Sequence, residues 1–238
     1  MARSHVRGAV AVITALPLVA LLPAQSASAE PGGTIAPSAS DMRTLDQEKA
    51  KGFTLDIPPS AARKSTPKAA AAATPPVGTV RSWIALDDTE GYYLKEFTLR
   101  GVGDKIEVWV ANDTLFPEGD CRNPTGATVV TDGQVLDLIN EFDTNMYPKE
   151  TAAFSTPPDR DGTNATLEGL DFSGDGDKTV TLVDNVRDDN FYDFPAASTY
   201  IAGFFSSAIN GYTDRNVMTI DAFDWAHRTG ATRRTSRP

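Results

Sequence analysis

Alternation of apolar and polar positions begins near Gly78 and continues through three short segments. Arg81–Leu86, Tyr92–Leu99 and Lys105–Val110 have strand character. The third alternates cleanly, with Ile106, Val108 and Val110 on one face and Lys105, Glu107 and Trp109 on the other. Gly91 and the run Gly101-Val102-Gly103-Asp104 supply turns, so these strands are expected to pair as antiparallel hairpins.

The period then changes. Val135, Leu138, Ile139 and Phe142 recur at i, i+3, i+4 and i+7, which makes one apolar face of a helix. Thr131 with Gln134 three residues on forms a capping box, and Pro148 marks a stop, so the spacing predicts a helix over 132–146. Residues 151–169 are rich in Pro, Asp and Gly and read as a surface loop. Three apolar strands follow, at Thr179–Val183, Tyr200–Phe205 and Val217–Phe223. Strands, one clear helix and more strands imply an α+β or α/β domain. Its roughly 160 ordered residues fit one core.

The two ends have a different character. Arg3, His5 and Arg7 precede an apolar run from Gly8 to Ala24, and Ala27-Ser28-Ala29 is a small-x-small cleavage pattern. Residues 1–29 therefore read as a signal peptide, and the apolar run is shorter than the roughly 20 residues a membrane span needs. Export to the extracellular space follows, with no membrane attachment after cleavage. Residues 30–77 are poor in large apolar side chains and include the Ala69–Ala73 run between prolines, the composition of a disordered leader or propeptide. Within it Met42–Lys49 has the makings of a short helix. At the other end, residues 226–238 carry four arginines and no acid. That break in composition reads as a basic tail or as a shifted reading frame.

Charge narrows the partners. The formal net charge is −10, and removing Arg3 and Arg7 with the signal takes it to −12. Such a chain repels nucleic acid, whereas clustered carboxylates invite divalent cations. In Asp171-Phe-Ser173-Gly-Asp175-Gly176-Asp177, oxygen-bearing side chains occupy alternate positions with Gly at the sixth. Asp171, Ser173, Asp175 and Asp177 are thus candidate ligands for calcium in an abbreviated loop. Position twelve is Leu182 instead of the usual Glu, and an acidic turn leading into a strand is the other reading. The run Asp184-Asn-Val-Arg187-Asp188-Asp189-Asn190 reads as a second cation site or as an ion-pair network around Arg187. Cys121 is the only cysteine, so no internal disulfide forms. His227 is the only histidine outside the signal, so neither H-E-x-x-H nor a serine triad can be assembled.

Four segments together carry a resemblance. Gly103–Val110, Gly174–Asn185, Tyr200–Phe205 and Asp214–Asp221, in that order, resemble secreted bacterial zinc peptidases of the immune inhibitor A and hyicolysin-like kind. The resemblance implies an incomplete zincin-like metalloprotease domain with a mixed sheet, residues 78–225 being its N-terminal portion. It also implies that relatives use zinc and act on protein substrates. In that family the strand like Asn216–Asp221 shortly precedes the helix bearing H-E-x-x-H. This chain has no such motif, so it is expected to lack the zinc site and to be inactive by itself.

Overall fold

The computed structural model describes residues 73–225. The expected signal peptide, the leader as far as residue 72, the basic tail and His227 lie outside the described residues. Six strands form one curled, mixed sheet: β1 (Val80–Asp87), β2 (Gly91–Val102), β3 (Ile106–Ala111), β4 (Thr179–Asp184), β5 (Gly203–Phe205) and β6 (Asn216–Asp221). Their spatial order is β1-β2-β3-β4-β6-β5. The first three pair antiparallel as hairpins, β3, β4 and β6 run parallel, and β5 closes the far edge antiparallel to β6. With few helices beside it, the domain is α+β.

The helical connection from β3 to β4 covers one face. Helix α1 (Asp132–Glu141) starts at the expected capping box: the Thr131 side chain accepts from the Gln134 amide and Gln134 accepts from the Thr131 amide. Val135, Leu138, Ile139 and Phe142 pack with Ile106, Val108 and Val110. The packing is close because Gly101 lies underneath, where a Cβ would stand 2.6 Å from Ile139 Cδ1 and 2.9 Å from Val135.

The helix does not stop at Pro148. It widens into a π turn at Phe142–Met146 and resumes as α2 (Tyr147–Phe154). Pro148 sits in the first turn of α2, directly after the π turn, and the helix runs on through it. The π turn points Asp143 at the β2–β3 turn, where its carboxylate accepts from the amides of Asp104 (2.7 Å) and Lys105 (2.9 Å). The first residues assigned to the loop, 151–154, are therefore helical.

The opposite face holds Trp83, Phe97, Leu99, Trp109, Val180, Leu182 and Val217, joined by Phe172 and Ile209. Ile209 belongs to α4 (Ser207–Thr213), and α3 (Asp189–Asp193) lies in the connection between β4 and β5. The alternation in β3 was read with the right residues on each face, yet every strand residue from Ile106 to Ala111 is buried, because the sheet is covered on both sides there. Two later strands are shorter than expected. The chain joins the sheet only at Gly203, since the Ile201 amide is held by Asp188 instead of by a strand. At the other end β6 ends at Asp221, whose carboxylate accepts from the Phe223 amide at 2.6 Å and turns the chain away. Among the described residues no helix is long and apolar enough to cross a membrane.

Candidate functional site

The acidic loop 171–177 is built around a buried cation. Arg215, just before β6, and Glu107, in β3, are both fully buried and pair at 3.0 Å. Arg215 also donates to the backbone carbonyls of Phe172 (3.0 Å) and Asp175 (3.2 Å), while Trp109 Nε1 donates to the other Glu107 oxygen at 3.1 Å. The loop backbone thus wraps the guanidinium. Gly174 makes this approach feasible, because a Cβ there would lie 2.2 Å from Arg215 Nη1.

The loop's three carboxylates turn outward, each to its own cation. Asp171 accepts from Arg81 at 2.9 Å with one oxygen and from the Ser173 amide and hydroxyl with the other. Asp175 lies 3.6 Å from Lys178 and caps the Asp177 amide. Asp177 pairs with Lys105, and that hydrogen bond raises the lysine above its ordinary pKa. Asp171, Ser173, Asp175 and Asp177 are therefore near neighbours in the chain with three separate basic partners. Among the described residues no three His, Cys, Asp or Glu side chains converge as a metal site.

The second polar run sits at the carboxyl ends of β4 and β6, where open α/β sheets commonly bind ligands. Within it Asp188, and beside it Asp221 and Asp87, hold backbone amides. Asp188 caps α3 through the Phe191 amide at 2.9 Å, and Asp221 accepts from the Val186 amide at 2.8 Å. Asp87, at the end of β1, accepts from the amides of Thr89 and Glu90 and from the Tyr192 hydroxyl. Burial, then the Asp87 hydrogen bond, pushes the Tyr192 phenol up to about 12.

Arg187, read from the sequence as the centre of an ion-pair network or a neighbour of a second cation site, stacks on an aromatic ring. Asp184 pairs instead with Lys95 of β2 at 2.7 Å, and the Arg187 guanidinium lies over the Tyr93 ring at 4.5 Å. The reason is topological: Asp184 ends a strand flanked by β3, which leaves the sheet early, so a lysine from β2 reaches it. Burial raises the Asp184 carboxyl above the usual carboxylate range against the pull of Lys95. Beside these groups, Thr89, Glu90, Asp189, Tyr192 and Asp193 line an open acidic cavity of about 290 Å³. Arg122 lies 3.4 Å above the Phe116 ring and donates to Asp120 and Asn190, an internal brace beside the exposed Cys121.

Zinc does not fit the described residues. They include no histidine, one exposed cysteine and no converging acid triplet. Sequence reasoning missed the Glu107–Arg215 and Lys95–Asp184 pairs. The one available signal was a charged residue inside an otherwise apolar strand, which alternation assigns to solvent. No protein-family model and no curated protein matches the chain.

Proposed function

We propose that residues 78–225 are the N-terminal portion of a secreted zinc-metallopeptidase domain of the immune inhibitor A and hyicolysin-like kind, without hydrolytic activity of its own. The observation that carries this reading is where the four resembling segments fall. Far apart in sequence, they contribute β3, β4, β5 and β6, which are four adjacent strands in the order β3-β4-β6-β5. A likeness that forms four adjacent strands of the six is better support than four scattered matches.

The burial of β6 agrees with it. Val217, Thr219 and Asp221 are buried, while Asn216, Met218 and Ile220 on the other side are only half-buried. Phe205, which pairs with Met218, is 63 % exposed. The face covered by α1 over β3 is thus left half open over β6 and β5, which leaves room for a further covering element.

Reading the encoding DNA in all three frames beyond the codon for Trp225 tests the assignment. H-E-x-x-H in any frame supports it, and its absence from all three overturns it. Metal analysis of the purified chain is expected to find far less than one zinc per molecule, with no cleavage of a denatured protein substrate. The competing reading, an extracellular calcium-dependent binding module, requires Asp171, Ser173, Asp175 and Asp177 to turn from Arg81, Lys178 and Lys105 towards one ion. A calcium titration that raises the melting midpoint, and fails to do so in Asp175→Asn, would favour it.

A further inference from the structure

The half-open face of the sheet lies at an edge. Strand β5 is outermost in the strand order and pairs with β6. Phe205 stands opposite Met218 and Gly203 opposite Ile220, so these four share one face. Ile220 is level with Val183 and, one strand further, with Val110, both buried, so this is the face that α1 covers over β3. Over β6 and β5 the cover thins: Met218 and Ile220 are half-buried and Phe205 is exposed. An apolar patch beside the outer backbone of an edge strand suits an extended segment, which adds through main-chain hydrogen bonds and alternate side chains.

The chain carries a segment of that kind. Three of the six large apolar side chains in residues 30–72 fall at Phe53, Leu55 and Ile57, alternating with Thr54 and Asp56. This period of two marks a strand with one apolar face. Gly52 precedes it and Pro58-Pro59 ends it, since proline cannot continue a ladder.

The reach is ample. Strand β1 is two antiparallel steps from β3 and so runs with β3, β4 and β6. Its first residue, Val80, is therefore at the same end of the sheet as Phe205. Five strand-to-strand steps separate β1 from β5, about 24 Å in all. Residues 58–79, which join Ile57 to Val80, extend to roughly 70 Å. Other occupants fit less well. Residues 226–238 hold no Val, Leu, Ile, Met, Phe, Tyr or Trp, and a second copy meets the repulsion of a net charge of −10. A tethered segment is held at a local concentration on the order of millimolar.

We propose that residues 53–57 add to the free edge of β5 as a seventh strand and lay Phe53, Leu55 and Ile57 over Phe205, Met218 and Ile220. The leader is then a reversible cover for this face, in competition with any hydrophobic dye or second molecule that reaches it. The contact needs no zinc ligand, so the reading frames beyond Trp225 decide the peptidase assignment separately.

Hydrogen exchange of the full chain, read by mass spectrometry, tests the contact. The amides of residues 53–57 are expected to exchange slowly in the wild type. Leu55→Asp is expected to lose that protection and to bind more hydrophobic dye, whereas Ala71→Asp, with the same added charge, changes neither. Free exchange of residues 53–57 in the wild type, or dye binding unmoved by Leu55→Asp, overturns the proposal. A photoreactive benzoylphenylalanine at position 205 gives a second readout. Crosslinking to residues 53–57 of the same chain supports the proposal. A crosslink to a second copy, or to no part of the leader, counts against it.

Discussion

Two glycines with opposite surroundings separate close packing from conformational freedom at the scale of single residues. Gly174 faces the Arg215 guanidinium, so Gly174→Ala must displace a buried charge. It is expected to destabilise by about 1–3 kcal/mol in a denaturant titration. Gly133, in the first turn of α1, has nothing nearer than 3.9 Å from an added Cβ. Gly133→Ala should therefore stabilise by roughly 0.5–1 kcal/mol, because the unfolded chain loses freedom. Two carboxylates oppose each other in their response to pH. Asp184 has its pKa raised by burial, so its charged form penalises the folded state at neutral pH. That penalty fades as pH falls through the raised value and is gone below the unfolded one. Asp120 is held below the usual range, chiefly by its hydrogen bond from Arg122. Its contribution is present above the unfolded value and is lost as pH falls through the folded one. Asp120→Asn should accordingly lower the melting temperature at neutral pH, and the difference from wild type should close in acid.

At the scale of elements, the buried Glu107–Arg215 pair ties β3 to β6 across β4. Glu107→Ala strands an arginine of zero exposure and is expected to cost about 3–5 kcal/mol. Replacing both partners by apolar residues of similar volume should recover most of that loss, which a double-mutant cycle measures. Thr131→Ala, which removes the capping box, should cost about 1 kcal/mol. These two sites also mark what the sequence reveals. The cap was legible because its partners are three residues apart and its geometry is local. The role of Glu107 was not legible: alternation distinguishes polar from apolar but is blind to a partner arriving from 108 residues away. The same limit explains Pro148, whose meaning depended on whether a π turn reset the helix before it. In the acidic loop the oxygen spacing was read correctly from the chain. The basic side chains that meet it, Arg81 and Lys105, come from elsewhere in the sheet.

The whole molecule is asymmetric across its sheet. Over β3 and β4 both faces are buried, whereas over β6 and β5 one face keeps Met218, Ile220 and Phe205 partly in water. Apolar surface of this kind favours association. Phe205→Ser should reduce the binding of a hydrophobic dye and any self-association seen by light scattering, with little change in stability. Unchanged dye binding would mean that the exposed surface lies elsewhere.

The Glu107–Arg215 pair also sets a clock. A ribosome adds about 5–20 residues per second, so Glu107 emerges on the order of 5–20 seconds before the arginine that neutralises it. Throughout that interval the first hairpins have their turns and most of their apolar residues. The step that seals β3 into the interior would bury an unmatched negative charge. Synthesis itself is therefore expected to hold this sheet open until nearly the last of the described strands has been made.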